Sequence, residues 1–383
     1  MTSRQIETAP VQPVSVETLL FRYPVQTPVR TSFGVMHDRP ALFVRISDAD
    51  GTKGWGEIWC NFPTVGAEHR ARLIESAIAP RIINKQFESP SAAFDEMAET
   101  MAVLAIQTGE HGPLAQCIAG IDIALWDLSA RKFGQPLWRM LGGASPRIPV
   151  YASGLNPDQP EILASERQRD GHRSFKLKVG FGADRDVANL KALRDTLGPD
   201  VNLMADANQA WTLAQARDAA PRLEEFRLNW LEEPIRADQP WNMWADLKQA
   251  TEIPLAAGEN LSSDTAFDAA IASQTLTFVQ PDLGKWGGFS RCLGVAGRVN
   301  AAGLTYCPHW LGGGIGLLAS AHLLAAAGGN GLLEIDANPN PLRDELSGEV
   351  RKVSDGHCTL SDAPGLGEIP DVRNYAPIRQ WLR

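Results

Sequence analysis

The sequence is poor in the features that mark nucleic-acid-binding, membrane-spanning and disulfide-stabilised proteins. Its 383 residues carry 36 Lys and Arg against 45 Asp and Glu, a formal charge of −9, so the chain has no excess of basic charge for holding nucleic acid or an anionic membrane. No apolar run approaches the roughly 18 residues that a membrane-spanning helix needs. The five cysteines are odd in number, widely scattered and without a CxxC pair, which argues against a disulfide framework and a zinc site.

The start of the chain also lacks the apolar core of a signal peptide, because residues 1–10 are largely polar. These absences predict a cytoplasmic protein that binds neither nucleic acid nor membrane. Hydrophobic residues make up 44% of the chain, which is enough for a large core. The length fits either one large barrel or two to three domains.

The first third of the chain has the pattern of an α+β unit. Asp50-Gly51 is a turn signal between two runs of strand-forming residues, and the repeat of apolar residues then changes to helical spacing. The predicted strands are 14–23, 41–47 and 53–59, and the predicted helices are 66–83, 91–108 and 113–133.

From residue 148 onward, short β-rich runs alternate with helical stretches, which predicts βα units and a parallel sheet. Eight such units close a TIM-type barrel. Pro339, Asn340 and Pro341 follow the eighth run, so we expect the eighth helix to be missing or displaced. The eight predicted strands are 148–153, 174–179, 202–207, 229–234, 253–259, 276–282, 304–309 and 331–336.

A charged or ionisable residue recurs at the carboxyl end of strands two to eight, with successive members 23 to 28 residues apart. A single acid there is equally well explained as a helix cap. Seven in register favour a ring of functional groups, because the carboxyl-end face of a barrel carries its active site. The ring consists of Lys178, Asp206, Glu232, Glu259, Asp282, His309 and Glu334.

Three acids of this ring lie on adjacent strands and are able to converge on one cation. A set of oxygen ligands suits Mg²⁺, whereas zinc prefers His and Cys. Strand alternation places Glu232 on the same face as Trp230 and predicts that Glu233 points the other way. The predicted metal ligands are Asp206, Glu232 and Glu259.

Two different bases flank these acids. A second lysine on the same strand face, Lys176, together with a divalent cation should lower the pKa of Lys178 and make it a base near neutral pH. Asp282 should orient His309 and support its imidazolium form. This combination suits removal of the weakly acidic proton α to a carboxylate, with Lys176 and a protonated Glu334 stabilising the developing enediolate oxygens.

Eight motifs in order along the chain resemble the enolase superfamily, and within it the mandelate racemase subgroup of the mandelate racemase/muconate lactonizing enzyme family. Any one alone is weak, but the ordered set spans nearly the whole chain and is specific. The motifs are GIDIALWDL (120–128), FKLKVGFG (175–182), LMADANQAW (203–211), WLEEP (230–234), AAGEN (256–260), VQPDLGKWGG (279–288), PHW (308–310) and PGLG (364–367).

The resemblance implies a (β/α)₇β barrel with an α+β capping domain completed by the C-terminal tail. We therefore expect a capping domain at 1–135, the barrel at 136–340 and a returning segment at 341–383. It also implies Mg²⁺ as cofactor and a small carboxylate as substrate. The ring residues would have the roles given above, with Glu334 near the substrate carboxylate. The family further implies a dimer or octamer of identical chains.

Three further segments are similar to members of the family that act on sugar diacids and their lactones. They are GFGADRDVANLKALRD, QPDLGKWGGFS and EIDANPNPLRDEL. The first expectation is therefore cycloisomerisation of a sugar-diacid lactone. The alternatives are an acid-sugar dehydratase that eliminates water, a racemase or epimerase, and a non-catalytic barrel that only binds its ligand.

Substrate contacts are expected from the strand ends and from two capping-domain loops, 24–39 and 57–65. Asn208 shares the face of Asp206, and Trp310 follows His309. Lys285 is either a surface charge or an extra substrate contact. The glycine run 312–314 suits packing at the barrel rim better than a phosphate-binding loop, since the P-loop Lys and Thr are missing. The loop residues expected near the substrate are Arg30, His37, Arg39, Trp59 and Phe62.

Overall fold

The computed structural model describes residues 6–30, 34–367 and 371–375. It has an antiparallel three-stranded sheet with helices in its N-terminal part, followed by a parallel barrel of eight strands. The fold class expected from the sequence is therefore confirmed. Within the described ranges, every helix is too short or too polar to cross a bilayer.

The N-terminal sheet has the strand order β1-β2-β3, and its three strands are β1 (Pro13–Arg30), β2 (Val35–Asp48) and β3 (Lys53–Ile58). The prediction that 24–39 forms a loop is wrong, because β1 and β2 pair almost to the tip of their hairpin, with Val29 opposite Met36. Both of those side chains are buried while Val35 beside them is exposed, so a short alternating pattern continues the strands beyond the longer apolar runs.

Helices cover the outer face of this sheet. Ser89 caps the helix Pro90–Thr108 by accepting a hydrogen bond from the Ala92 N–H, and Gly109 ends that helix in the left-handed conformation. The outer face and the helices share one apolar core, whereas the other face of the sheet packs into the main core of the barrel. The helices are α1 (Gly66–Leu73), α2 (Ala79–Ile82), α3 (Pro90–Thr108), α4 (His111–Lys132) and α5 (Leu137–Met140), and a π-helical turn at Ile74–Ile78 joins the first two.

The barrel strands pair in sequence order, and the last strand pairs with the first. At the seam between β10 and β11 the backbones come close, since a Cβ added to Gly331 would lie 1.8 Å from the Tyr306 carbonyl oxygen. The strands are β4 (Arg147–Leu155), β5 (Ser174–Lys178), β6 (Asn202–Asp206), β7 (Leu231–Glu232), β8 (Leu255–Ala257), β9 (Phe278–Val279), β10 (Thr305–Tyr306) and β11 (Leu333–Asp336).

A long helix follows each of the first seven barrel strands but not the eighth, as the sequence predicts. Only the four-residue α13 (Pro341–Asp344) follows β11, because the Pro-Asn-Pro sequence after β11 does not support a helix start. The seven helices are α6 (Pro160–Arg169), α7 (Ala183–Leu197), α8 (Leu213–Leu223), α9 (Trp241–Lys248), α10 (Asp264–Ser273), α11 (Gly288–Ala301) and α12 (Gly314–Ala327).

The chain then turns back across the outside of the molecule. Strand β12 (His357–Thr359) pairs antiparallel with β4, and Leu366 donates its N–H to Asp127 of α4 at 2.6 Å. Three-residue or four-residue 3₁₀ turns occur at Glu224–Phe226, Gly348–Arg351 and Val372–Asn374. The exact domain boundaries stay a prediction.

Large side chains fill the barrel below its carboxyl-end face. Tyr151, Met204, Trp230 and Ala256 form a separate buried cluster inside the strands, and the rings of Tyr151 and Trp230 meet edge to face at 5.3 Å. This packing gives the ring of ionisable residues above it a rigid apolar floor.

His322 on α12 generates a prediction about acid stability. It is fully buried, accepts the Trp138 N–H at 2.9 Å, and burial lowers its pKa to about 3. The unfolded state therefore binds one more proton between pH 6.5 and 3, and stability falls as the pH falls through that window. We expect the unfolding free energy of His322→Gln to fall less steeply with falling pH than that of the wild type, by about 1.4 kcal/mol per pH unit. Urea unfolding between pH 6 and 4 measures this difference.

The matched control is His111→Gln, since His111 is exposed at the start of α4. Its unfolding free energy should keep the pH dependence of the wild type. An unchanged pH dependence in the His322 variant would contradict the prediction.

Candidate active site

All seven members of the predicted ring meet at the carboxyl end of the barrel in one buried network of ion pairs. The side chains join pairwise at 2.5 to 3.8 Å, and each member comes from its own strand or from the residues directly after it. The structure thus brings together what the regular spacing predicts. Whether each residue has its predicted role stays a prediction.

Lys176 lies at the centre of this network and is fully buried. Its Nζ is 2.7 Å from Glu232, 2.9 Å from Glu334 and 3.8 Å from Asp206, and it sits 5.2 Å from the centre of the Tyr151 ring. Burial disfavours its ammonium form, but the surrounding carboxylates outweigh burial and raise the pKa of Lys176 well above its usual value. Lys176 is therefore a fixed positive charge.

Lys178 donates to Asp206 at 2.5 Å. The expectation of a lowered pKa for Lys178 is wrong in this arrangement: burial and Lys176 act in that direction, but Asp206 outweighs them and raises the pKa. Sequence spacing alone did not reveal how closely the two side chains pair. For Lys178 to accept a proton, its ion pair with Asp206 must first be broken.

His309 forms the expected pair with Asp282, since its Nδ1 donates to Asp282 at 2.6 Å. Asp282 is held in turn by the N–H groups of Gly284 and Lys285. The Nε2 atom of His309 points at Glu259, 2.6 Å away. Burial opposes the charged ring, but Glu259, Glu334 and Asp282 raise the pKa of His309 to about 10, so the ring is an imidazolium at neutral pH.

The expectation that Glu334 is protonated is wrong. Burial alone would raise its pKa, but Lys176 and His309 supply positive charge, and Ser153 donates a hydrogen bond at 2.5 Å. Together they lower the pKa of Glu334 to about 2. Glu334 also accepts the N–H of Trp310 at 3.1 Å, and it therefore holds neighbouring groups in place as a carboxylate.

The three predicted metal ligands lie on adjacent strands, but each is paired with a cation. Among the described residues, no three His, Cys, Asp or Glu side chains are gathered as a metal site. Their chemistry still fits Mg²⁺, because all three are buried oxygen donors and because burial, with Asp206, Glu334 and Glu259 nearby, raises the pKa of Glu232 to about 7. A divalent cation relieves this kind of carboxylate crowding.

Glu233 belongs to the same group of carboxylates, which sequence alternation did not predict. It is fully buried, accepts from Asn260 at 2.9 Å, and its pKa is raised by burial and by Glu259 and Asp206. Strand alternation fails here because Glu233 adopts a φ of +38° directly after the two-residue β7. The motif WLEEP signalled a second acid, but not its direction.

Two amides brace the carboxylates. Asn208 donates its N–H to Asp206 at 2.7 Å, so the predicted substrate contact also supports a predicted ligand. Gln280, which sequence reasoning missed, is buried and donates to Glu232 at 2.6 Å. Its position two residues before Asp282 on the same strand face is a signal that could have identified it.

The indole of Trp310 is enclosed by the protein, and its expected contact with substrate stays a prediction. It is 1% exposed, and added Cβ atoms at Gly284, Gly312 and Gly316 would each lie within 2.5 Å of its ring. The glycine run therefore makes room for Trp310, which agrees with the rim-packing interpretation. The sequence hid this contact because Gly284 lies on another strand connection.

Trp59 lies at the contact between the capping domain and the barrel mouth. Its half-buried ring is 4.8 Å from the Lys285 Nζ and 5.7 Å from the Arg70 guanidinium. Lys285 also reaches Glu259 at 3.2 Å, so it is part of the site and not a surface charge. This position supports a substrate-facing role for both residues.

The remaining loop residues have mixed outcomes. The Arg30 side chain lies outside the described part of the chain, and His37 is exposed on β2. Arg39 is buried and paired with Asp336, so it is not free to meet a substrate carboxylate as expected. Phe62 packs against the hairpin, with its ring 2.8 Å from the Cβ position of Gly34.

Models of two protein families match almost the whole chain. The N-terminal domain of the mandelate racemase/muconate lactonizing enzyme family matches residues 15–142. The enolase C-terminal domain-like family matches residues 161–374.

Individual proteins show the same similarity. D-galactarolactone cycloisomerase of Agrobacterium fabrum is 30% identical, covering 92% of this chain and 95% of its own. A mandelate racemase/muconate lactonizing enzyme structure from Bordetella bronchiseptica has a TM-score of 0.91 at 54% identity, covering 96% and 99% of the two chains. A racemase from Streptomyces coelicolor, solved with bound magnesium, has a TM-score of 0.85 at 29% identity, covering 95% and 98%.

The buried position of Lys176 leads to a stability prediction. Lys176→Met leaves Glu232 and Glu334 without their shared cation, so in chelator-treated buffer we expect a loss of about 3–5 kcal/mol in unfolding free energy, measured by urea titration. Adding Glu232→Gln should restore part of this loss. Lys191→Met, which removes an exposed pair with Asp195, should leave stability unchanged. Equal stability of the Lys176 and Lys191 variants would disprove the ion-pair account.

Proposed function

Since the chain belongs to the mandelate racemase/muconate lactonizing enzyme family of the enolase superfamily, we propose that its overall reaction is the cycloisomerisation of a sugar-diacid lactone. As an enzyme of this superfamily it abstracts the proton α to a carboxylate. The 30% identity with a D-galactarolactone cycloisomerase, over nearly the full length of both chains, supports this substrate class.

One observation carries the proposal: both candidate bases contact predicted metal ligands within a single network. Lys178 pairs with Asp206, and His309 pairs with Glu259. A carboxylate substrate that binds over these ligands has one base candidate on each side, because the two bases come from separate parts of the barrel wall. This arrangement offers one acid/base group for each face of the α-carbon, and each group accepts a proton only after its ion pair with Asp206 or Glu259 is broken.

The residues of the chain have distinct tasks in this reaction. Mg²⁺ held by Asp206, Glu232 and Glu259 would supply positive charge beside the substrate carboxylate as the α-carbon loses its proton. Lys176 adds a fixed positive charge for the same oxygens. Asp282 holds the His309 ring through Nδ1, and Nε2 is able to exchange a proton with substrate once its ion pair with Glu259 is broken.

In the proposed cycloisomerisation the proton α to the free carboxylate moves to Lys178 or His309. The electron pair of the broken C–H bond forms a double bond to the β-carbon, and the ring C–O bond breaks there. The ring oxygen leaves as part of a carboxylate, so it needs no proton in this step. The resulting enol then takes up a proton at carbon.

A dehydratase is the second candidate, and the His309–Asp282 pair favours it. Expulsion of a β-hydroxyl group as water requires a proton donor, and Asp282 orients the His309 ring through Nδ1 for that role. A racemase is the third, since Lys178 and His309 together permit proton removal and return on opposite faces. Incubation with a library of lactones, hexarates and hexonates, with products identified by NMR, separates the three reactions.

The base assignment predicts stereospecific loss of proton exchange. In deuterium oxide, Lys178→Ala should lose exchange at one face of the α-carbon and His309→Asn at the other, each by about 10²–10⁴-fold. Exchange is followed by NMR on the substrate identified in the library. Normal exchange in both variants would show that the bases are assigned wrongly.

The metal assignment predicts Mg²⁺-dependent stability. With Mg²⁺ at about 100 times its dissociation constant, the wild type should gain about 2.7 kcal/mol in unfolding free energy, and Glu259→Gln should lose most of this gain. Asp186→Asn is the control, because Asp186 instead accepts from the Gly180 and Phe181 backbone. If calorimetry detects no Mg²⁺ binding to the wild type, the metal proposal fails.

A further inference from the structure

Among the barrel helices without a side-chain cap of their own, α11 and α12 receive a cap from the capping domain. The residues before α11 and α12 are Gly287 and Gly313, and neither helix has a local side-chain cap. By contrast, Thr212 caps α8 and Ser263 caps α10 from within the same segment. The free N–H groups at the start of α11 and α12 therefore need partners from elsewhere.

Glu57 of β3 provides the cap for α12. It is 1% exposed, and its two oxygens accept from the N–H groups of Gly313 at 2.5 Å and Gly316 at 2.8 Å. A Cβ added to Gly313 would lie 2.7 Å from a Glu57 oxygen, so glycine permits this close approach. The acceptor at this glycine-rich helix start is thus a carboxyl group of the chain itself.

Asp122 of α4 provides the cap for α11 in the same way. It is fully buried and accepts from the Ser290 N–H at 3.1 Å and the Ser290 hydroxyl at 2.5 Å. A Cβ on Gly288 would lie 2.2 Å from an Asp122 oxygen. Both caps therefore combine a buried capping-domain carboxylate with a glycine at a barrel helix start.

These two helices follow the strands that end in the histidine dyad. Helix α11 begins after Asp282, and α12 begins after His309. Trp310 connects the α12 cap directly to the dyad, because its Nε1 donates to the Gly313 carbonyl at 2.9 Å. Asn61, also in the capping domain, donates to the Leu311 carbonyl at 2.6 Å.

The Lys178 side of the mouth is held differently. The turn after Lys178 is fixed by Asp186, which accepts from the Gly180 and Phe181 N–H groups at 2.9 and 3.3 Å. Asp186 lies on α7, so this support comes from within the same βα unit. The two halves of the site thus depend on different parts of the chain.

We propose that Glu57 and Asp122 are positioning residues through which the capping domain sets the placement of the His309–Asp282 dyad, independently of Lys178. Movement of the capping domain relative to the barrel changes the histidine half of the site and leaves the lysine half in place. The capping loops and the dyad consequently act as one body toward the substrate. This inference rests on the proposed function, in which His309 and Lys178 serve opposite faces of the substrate.

The test is α-proton exchange resolved by face, with the faces assigned by the Lys178 and His309 variants. Glu57→Gln and Asp122→Asn should reduce exchange at the His309 face about 10-fold or more, with an unchanged KM, and leave the Lys178 face within about 2-fold. Asp186→Asn should instead reduce exchange at the Lys178 face and leave exchange at the His309 face within about 2-fold. Glu57→Asp, which keeps a carboxyl group on a shorter side chain, should give an intermediate rate.

Asp127→Asn is the control for general destabilisation. Asp127 is an equally buried carboxylate of α4, but it accepts from Trp55 and Leu366 and not from a barrel helix. Its replacement should leave the ratio of exchange at the two faces unchanged. Equal loss at both faces in the Glu57 and Asp122 variants, or no loss at either, would overturn the inference.

A second measurement separates failure of this inference from failure of the proposed function. Amide hydrogen exchange by mass spectrometry needs no substrate, and Glu57→Gln should accelerate exchange in peptides covering 309–320 but not in those covering 174–182. If the wild type shows no α-proton exchange with any substrate, the proposed function fails. Amide hydrogen exchange still tests whether Glu57 holds the start of α12. Unchanged amide exchange over 309–320 would overturn the inference.

Discussion

The structure depends above all on compensating a dense group of charges that the barrel removes from water. Six carboxylates, three lysines and one histidine share the mouth of the barrel, so negative charge exceeds positive charge even with His309 protonated. Such a group is stable only if each member has partners at hydrogen-bond distance, and Lys176 meets this requirement by pairing with Glu232 and Glu334. The same excess of carboxylate oxygens suits the proposed divalent cation. The carboxylates are Asp206, Glu232, Glu233, Glu259, Asp282 and Glu334, and the cations are Lys176, Lys178, Lys285 and His309.

The capping domain does more than line the entrance of the site, because it also supports barrel helices next to it. Glu57 and Asp122 supply carboxyl groups to two barrel helices that begin at glycines, whereas α8 and α10 begin at Thr or Ser caps of their own. Trp59 and Lys285 form a second contact, near Glu259, a predicted metal ligand. The capping domain is thus joined directly to the barrel elements that carry the proposed proton-transfer groups.

The fold and the ring were predictable because a barrel repeats: each βα unit returns the chain to the same height, so the spacing of residues in the sequence reports their position in space. Features that break this repeat were not predictable. Glu233 turns inward because of a positive φ after a two-residue strand, and Trp310 is enclosed by Gly284 from another loop. The charge state of Glu334 depends on distances to Lys176 and His309 that spacing does not give. The hairpin beyond Pro24 was missed because its alternation is too short to stand out from a loop.

The pairing of the last barrel strand with the first has a consequence for synthesis of the protein. Strand β4 lies between β5 and β11, with Leu333 beside Val150, and β12 then adds at its start with Cys358 beside Ile148. On the ribosome, which adds residues at about 5–20 per second, β4 emerges long before β11 and β12 are synthesised. Its backbone stays open to incorrect strand partners until the final segments leave the exit tunnel, so closure of the cylinder is a late event on the nascent chain.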